Sequence, residues 1–402
     1  MSRFRPQDGG ELAKLVSWAA SEGQTLEVLA NGTKRGLGRP VEAQHVLDVT
    51  GFAGVRAYEP EELVLTAGPA TPLAEIERLL DQKQQMLAFE PGDWGPLMGM
   101  APERQTLGGV LLCNLAGPRR IKQGAARDHL LGFHAVSGRG ELFKAGGRVV
   151  KNVTGYDLAK LMAGSYGTLA VLTEVTVKVL PAPEETGSLA LLGLDDAGAV
   201  AAMTRALNSP HEVGGAAHLP AATAASVLPG AERALTLVRV EGPSPSVEAR
   251  ASALRQELGE FGAAELLRGT PARQIWRALA DIAPCAADPG RVVWRVSIAP
   301  QAGPGVASAV SRALDARYFL DWGGGLLWLA VAGATDGGAA VIREAIGAIG
   351  GHATLIRAPE ALRREVPIFE PQPPALAALG QRIKESFDPK GILNPGRMYR
   401  EL

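Results

Sequence analysis

The sequence predicts an α+β fold in two parts, on three observations. From Pro6 onward, segments of helical and strand periodicity alternate. A break at Pro181 and Pro183, followed by Glu184-Glu185, ends that run. Beyond it a second alternation supplies enough separate strands for an antiparallel sheet with helices on one face. At 402 residues the chain is long enough for two or three domains.

The first part opens with a helix near 8–22, where Leu12, Leu15, Val16 and Ala19 share a face. A strand at 25–30 runs into the glycine-rich loop 31–38, and strands at 45–49 and 63–68 precede an amphipathic helix over 72–80. Residues 104–140 are rich in small residues and turns and end in the apolar strand LLGFHAV. A strand pair, a helix at about 156–162 and the β-branched run 169–179 complete this part. The second part reads as strand 188–194, helix 195–208, strand 234–240, helix 245–260 and strand 292–299. Helix 305–315, strands near 316–320 and 326–331, helix 336–349 and strand 353–358 follow. A proline-rich spacer then leads to a helix near 375–386 and the turn-rich segment 387–396. No sequence repeat is clear enough to indicate a duplication.

Composition narrows the function classes. Forty-one Lys+Arg against 42 Asp+Glu leave a formal charge of −1, so no global field favours nucleic acid or an anionic membrane. The 46% hydrophobic and 21% charged residues suit a folded globular chain. The 49 glycines and 28 prolines follow no Gly-X-Y period and therefore indicate turns. Cys113 and Cys285 form no CxxC pair for zinc or an iron–sulfur cluster, and two distant cysteines make no disulfide framework. The start MSRFRPQDGG lacks the apolar stretch of a secretory signal. No apolar run approaches the roughly 20 residues that span a bilayer. A cytoplasmic location is expected, free or peripheral on the inner face of the plasma membrane.

Three glycine clusters carry the chemistry. The first, Asn31-Gly32-Thr33-Lys34-Arg35-Gly36-Leu37-Gly38, follows a strand and can offer successive backbone N–H groups to an anionic oxygen. Its glycines could equally supply positive φ to an ordinary turn. It matches neither the Rossmann nor the Walker pattern. The second cluster, Gln105-Thr106-Leu107-Gly108-Gly109-Val110 through Asn114, Gly124 and Asp128, adds side-chain donors to glycine turns. The third is Lys151-Asn152-Val153-Thr154-Gly155-Tyr156-Asp157 followed by Gly164-Ser165-Tyr166-Gly167-Thr168-Leu169.

The succession NGTKRGLG, TLGGVLLCNLAGPRRIKQGAARDHLLG, KNVTGYDLAKLMAGSYGTLAVLTEVTVKVLP and FDPKGILNPGR resembles the vanillyl-alcohol oxidase, or PCMH-type, family of FAD-binding proteins. Within it the chain is similar to the smaller flavoproteins of three-part glycolate dehydrogenases. The resemblance implies a two-part FAD-binding domain over 1–181, a smaller ferredoxin-like cap for substrate or partner over 187–358, and a segment, 375–402, that returns to the first domain. It implies FAD as cofactor, with Asn31, Gly32, Thr33, Lys34 and Gly36 at the first pyrophosphate loop. Thr106, Gly108, Gly109 and Asn114 would line the inner phosphate and ribityl region, and Gly124 and Asp128 would shape the next turn. Thr168, Leu169 and Val171 would meet the cofactor through backbone groups, and Asn394 with Gly396 would bring the tail to the flavin edge.

Departures from the family pattern matter equally. Residues 25–44 contain no histidine for a covalent flavin link, so noncovalent FAD is expected. The cap lacks the family motif H-x-G-D-G-N. Its His211, His218 and His352 are not spaced as metal ligands, so no metal is expected. Tyr156 and Lys151 could orient substrate or tune the flavin, or serve packing and phosphate pairing. Arg295, inside the apolar strand VVWRVSIA, could grip a carboxylate or face solvent in the strand alternation. Trp322 before three glycines could be an aromatic wall, a partner surface or core. Cys113 needs no role beyond apolar filler beside the cofactor.

The resemblance implies a glycolate dehydrogenase subunit that oxidises glycolate to glyoxylate within a complex. The partners would be a larger FAD-linked subunit and an iron–sulfur subunit passing electrons to quinone. An autonomous dehydrogenase of another 2-hydroxy acid or lactone, and a flavin-relay or assembly subunit without its own catalysis, stay open alternatives.

Overall fold

A computed structural model describes residues 1–147, 155–347 and 349–401. The expectations for Lys151, Asn152, Val153 and Thr154 fall outside the described residues. At the N-terminus the strands Ser2–Phe4, His45–Asp48 and Leu26–Leu29 form a parallel sheet with His45–Asp48 in the middle. The helix Gly9–Ser21 is the crossover that carries the chain from one edge strand, Ser2–Phe4, to the other, Leu26–Leu29. Asp8 caps that helix by accepting the Glu11 amide at 2.8 Å, and Leu12, Val16 and Ala19 form its buried face. Beside this lies a five-stranded antiparallel sheet in the order Val55–Glu59, Val64–Ala67, Ala170–Lys178, Leu130–Ser137, Leu142–Gly146.

The eight strands between residues 185 and 357 form one antiparallel sheet. Its first four are Glu185–Leu192, Gly215–Leu219, Leu235–Gly242 and Ala264–Arg268, and its last four Val292–Ser297, Asp315–Asp321, Leu326–Ala332 and His352–Arg357. Each set follows strand–helix–strand–strand–helix–strand and pairs in the spatial order fourth, first, third, second. The cap is thus two ferredoxin-like units, joined where His218 pairs with Leu320. The repetition lies in the topology, although the sequence shows no repeat.

The sheet has two different faces. One packs under helices, with Met203, Val306, Val310 and Ile342 against Trp294, Leu320, Leu327 and Leu329. The other, carrying Leu237, Val293, Phe319 and Trp328, shares a core with Phe89, Trp94 and Leu97 of the first part. There the rings of Trp94 and Trp328 meet edge-on at 5.5 Å. Period two puts Arg295 on the same face as Val293, so it points at the first part, and the solvent-facing reading fails.

The tail helix Pro374–Phe387 leads to a turn that sews residues 388–397 onto the N-terminal sheet. Leu393 bridges Leu26, and the Asn394 amide donates to the Leu26 carbonyl at 2.9 Å. Lys384 and Asp388 fix the turn from inside. The Lys384 Nζ donates to Asp388 Oδ2 and the Thr168 carbonyl at 2.7 Å each, while Asp388 accepts the amides of Ile392 and Leu393. Both side chains are nearly inaccessible, and burial pushes the Lys384 ammonium below its ordinary pKa. Replacing Asp388 by Ala strands a buried cation, so a loss of about 3–5 kcal/mol is expected. A urea titration of Asp388→Ala beside the parent chain measures it; unchanged midpoints would contradict the role given to the pair.

Candidate functional site

A cleft opens between the loop at residues 30–35, the start of the helix Leu107–Leu112, the strand Ala170–Lys178 and the tail. Asn31, Gly32, Thr33, Lys34, Thr106, Gly108, Gly109, Val171 and Asn394, all singled out in the sequence, line it. Gly32 sits at φ 74°, a left-handed turn residue, and its carbonyl accepts the Arg35 amide at 2.9 Å. That turn leaves the amides of Gly32, Thr33 and Lys34 without an acceptor among the described residues. Three such N–H groups in succession make an anion-binding nest.

Lys34 adds a charge to the nest. Its Nζ donates to Gln105 Oε1 at 2.8 Å and lies 5.9 Å from the centroid of Trp94. Burial lowers its pKa to about 8, against the opposing pull of Cys113 and Asp93. No carboxylate lies within ion-pair distance of it among the described residues, so a bound anion would repay the desolvation. Val28, Val49, Leu112 and Leu172 give the cavity an apolar wall. A nest with a buried lysine at one end and an apolar wall beyond it fits a cofactor that joins a pyrophosphate to flat rings, and FAD is such a group.

Asn394 holds the walls together. At φ 44° its Oδ1 accepts the Val28 amide at 2.8 Å, and its Nδ2 donates to the carbonyls of Tyr166 at 3.0 Å and Gly167 at 3.2 Å. Arg397, missed in the sequence, lines the cavity and donates to the Lys34 carbonyl at 2.7 Å. Cys113 also lines it, and burial pushes its thiol above the ordinary value, as suits an inert filler.

Other expected residues stand outside this lining. Gly36 flanks the outer side of the first loop with Met98 and Met100. Asn114 accepts the Arg127 amide at 3.0 Å, and Asp128 accepts that of Ala125 at 2.9 Å beside Gly124, so these three shape turns. Thr168 donates to the Ser165 carbonyl at 2.7 Å, and Leu169 packs into the core. Tyr156 is corrected: it is 94% exposed and stands apart from the cleft lining, and no hydrogen bond holds its phenol among the described residues. Tyr166, ten residues on, takes that position on the cavity wall with φ 55°.

Behind Tyr166, where the cap meets the first part, lies a polar island that periodicity could not reveal. Arg120 and Arg295 lie over Trp322, at 4.5 and 5.1 Å from its ring centroid. Neither guanidinium has a hydrogen bond or ion pair among the described residues. Burial, then the neighbouring charge of Arg120, lowers the Arg295 pKa to about 10, with Tyr166 and Asp321 acting the other way. Trp322 is steadied by its Nε1 donating to the Gly117 carbonyl at 3.2 Å.

Next to it the charges are paired. Arg239 donates to both oxygens of Glu90 at 2.7 and 3.0 Å, and Arg119 to both oxygens of Glu241 at 3.0 and 2.7 Å. Arg119 also lies 3.1 Å from Glu90. Burial alone would raise the Glu241 pKa, but Arg239 and Arg119 hold it at about 2. The cap histidines are occupied elsewhere: His211 meets Glu257, and His218 meets Thr236 and Asp196. Among the described residues no three His, Cys, Asp or Glu are grouped to hold a metal.

Comparison with known proteins agrees with this geometry. Residues 3–146 match the FAD binding domain family and residues 369–398 the C-terminal domain of FAD linked oxidases. Glycolate oxidase subunit GlcE of Escherichia coli (strain K12) is 36% identical over 394 residues, covering 97% of each chain. Glycolate oxidase subunit GlcD of Bacillus subtilis is 29% identical over 46% of this chain and 38% of its own length. Among solved structures, p-cresol methylhydroxylase with substrate bound superposes with a TM-score of 0.75 at 13% identity, over 99% of this chain and 88% of that one. The 4-ethylphenol oxidase from Gulosibacter chungangensis gives 0.74 at 14%, over 99% and 89%. The likeness to the solved structures establishes the fold. Identity sustained across nearly the whole of both chains establishes more: the protein belongs to the GlcE family of FAD-linked oxidoreductases, built on the PCMH-type FAD-binding fold.

Proposed function

We propose that the chain is the FAD-binding subunit of a glycolate dehydrogenase complex that oxidises glycolate to glyoxylate. In this reading residues 1–181 and 375–402 hold FAD without a covalent link, and residues 187–358 close over the substrate. A larger FAD-linked subunit and an iron–sulfur subunit would carry electrons on to quinone, since two distant cysteines cannot hold a cluster. No helix among the described residues is long and apolar enough to cross a membrane, so contact with one would be peripheral or through those partners.

The observation that carries the substrate class is the unpaired Arg120–Arg295 pair on Trp322. Two partly buried guanidiniums over one indole ring, neither paired with an anion among the described residues, are costly unless an anion enters, and a planar carboxylate matches a guanidinium's fork of donors. Arg295 keeps the catalytic-site assignment made from the sequence, as the group that grips the substrate carboxylate. Tyr166 replaces Tyr156 between that grip and the cofactor cavity. FAD, when bound, supplies the acceptor for a hydride from the α-carbon. The Gly32–Lys34 nest and Lys34 would hold its pyrophosphate, with Gly109 leaving room at the wall. The protein supplies position, exclusion of water and the charges that hold the acid in place.

Four outcomes are expected. The purified chain is yellow, and acid precipitation leaves the colour in the supernatant; colour in the pellet would rule out noncovalent FAD. A Cβ on Gly109 meets Thr106 Oγ1 at 3.3 Å and Lys34 Cγ at 3.5 Å, so a bulky group there fills the cavity. Gly109→Trp should therefore fold and lose most of its flavin absorbance, and full retention would contradict the loop assignment. Removing one charged clamp should weaken binding by about 10- to 150-fold, from about 1.5–3 kcal/mol per charged hydrogen-bonding group. Calorimetric titration of oxalate, an inert dicarboxylate of glycolate size, into the parent and Arg295→Ala holoproteins measures this. Equal affinities would remove Arg295 from the substrate site. Glycolate added without oxygen should bleach the flavin; a spectrum that stays yellow would favour the relay or assembly subunit.

A further inference from the structure

We propose that Asp321 is the proton acceptor for the substrate hydroxyl, so that this chain carries the hydroxy-acid chemistry itself. The proposal rests on the reading of Arg120 and Arg295 as the carboxylate clamp. Nothing in the sequence singled this residue out, because it becomes significant only where three separate segments converge.

Asp321 ends the strand Asp315–Asp321 and shares its face with Phe319, the face turned toward the first part of the chain. The next residue is Trp322, the plate that Arg120 and Arg295 both cover. Asp321 Oδ1 accepts the Trp322 amide at 2.7 Å, which fixes the carboxyl beside that plate. Its side chain is only 2% exposed, yet Oδ2 has no hydrogen-bond partner among the described residues. A buried carboxyl oxygen is normally satisfied. One left open next to Trp322, within reach of the charge of Arg295, is suited to a ligand that brings both an anion and a hydroxyl.

The backbone points the same way. Trp322 is held at φ 52°, a left-handed conformation that is costly for a bulky aromatic residue, and Gly323 and Gly324 follow at 69° and 103°. The turn keeps the indole under the two arginines and the Asp321 carboxyl at its edge. The Asp321–Trp322 hydrogen bond stabilises this otherwise unfavourable geometry.

The charges around Asp321 come from every neighbouring segment. Arg239 and Glu241 stand on the strand Leu235–Gly242, Arg295 on Val292–Ser297, and Glu90, Arg119, Arg120 and Tyr166 belong to the first part. Glu90 and Glu241 are already taken by Arg119 and Arg239. Burial raises the Asp321 carboxyl to about 7, with Glu90 adding to the rise and Arg239 and Arg295 opposing it. A base poised near neutrality is what hydroxyl deprotonation at neutral pH requires. The histidines of the cap cannot serve: two are hydrogen-bonded elsewhere, and His352 is exposed at the start of the strand His352–Arg357.

The step balances as follows. The substrate O–H bond breaks and its proton moves to the ionised Asp321 carboxylate. The C2–H bond breaks and that hydrogen leaves with both electrons as hydride to FAD. The C2–O bond becomes a carbonyl, giving the 2-oxo acid, and Asp321 is left protonated. The carboxylate of the substrate stays on Arg120 and Arg295 throughout.

Asp321→Asn tests this on the full-length holoprotein, because the amide keeps the size and the acceptor for the Trp322 amide. Flavin content and oxalate affinity should match the parent. Anaerobic bleaching by glycolate should slow by about 10²- to 10⁴-fold. In the parent the bleaching rate should rise with pH through about 7, because the base acts when ionised, and this rise should be absent in the variant. Infrared difference spectra of the parent across the same pH range, taken without substrate, should show a protonated carboxyl band that titrates and is missing from Asp321→Asn. A variant with the parent rate and pH profile overturns the proposal. So does a parent whose infrared band does not titrate there, even if Asp321→Asn fails to fold. If oxalate binds and glycolate bleaches the parent, such a failure falls on Asp321 alone; if neither occurs, the clamp reading fails with it.

Discussion

The architecture of the site depends on the buried pairing of Glu90, Arg119, Arg239 and Glu241. Four charges at the junction of two apolar surfaces carry a desolvation cost of several kcal/mol each, which is offset only when every one finds a well-aligned partner. Two guanidiniums and two carboxylates satisfy this with hydrogen bonds of 2.7–3.0 Å along two bidentate pairs. Because Glu90 and Arg119 belong to the first part and Arg239 and Glu241 to the cap sheet, the pairing has one register. A slip of the cap by one strand position would bury unpaired charge. Gly215 serves the same end, since a Cβ there would meet the Arg239 guanidinium at 3.0 Å. The arrangement also delivers Arg120, adjacent to Arg119, to the face of Trp322.

A second constraint ties the tail to the cofactor cavity. Asn394 makes one contact to the N-terminal sheet and two to the Tyr166–Gly167 turn, so one side chain spans three segments remote in sequence. Tyr166 is thereby fixed between the nest at residues 32–34 and the polar island. Its ring also packs edge-on against Phe369 at 5.1 Å, which draws in the spacer before the last helix. The cofactor cavity and the arginine pair are set by one connected frame rather than by two independent domains placed side by side.

Local signals made much of this fold legible. The helix Gly9–Ser21 and strands such as Val292–Ser297 and Leu326–Ala332 carry clear periodicity or apolar runs. The strand Gly215–Leu219 was not legible, because GAAHL has no β-branched residue and forms on the strength of its neighbours. The helix Gly269–Ala280 begins with Gly-Thr-Pro, which reads as a turn. At the site, the first glycine loop was legible because backbone chemistry is encoded by consecutive residues. Arg295 was visible as an anomaly in an apolar strand, but its direction required knowing that both faces of the sheet are covered. Arg120 and Arg397 gave no local signal, since their partners Trp322 and Lys34 lie more than 200 positions away, and Asp321 gave none because its surroundings are assembled from both parts of the chain.

The absence of the histidine motif takes on a different weight once the island is in view. A motif with histidine and carboxylate would supply a base and a cationic anchor together. In the proposed reading the anchor is split between Arg120 and Arg295, both over one indole ring, and the buried carboxyl of Asp321 holds the backbone amide of that indole's residue. Two guanidiniums over one ring repel one another, and burial weakens their hydration further. A small anion that enters relieves both penalties at once. On the proposed reading the selectivity would be for charge and size: a short carboxylate would gain both arginines, while a long or neutral molecule would leave charge unpaired.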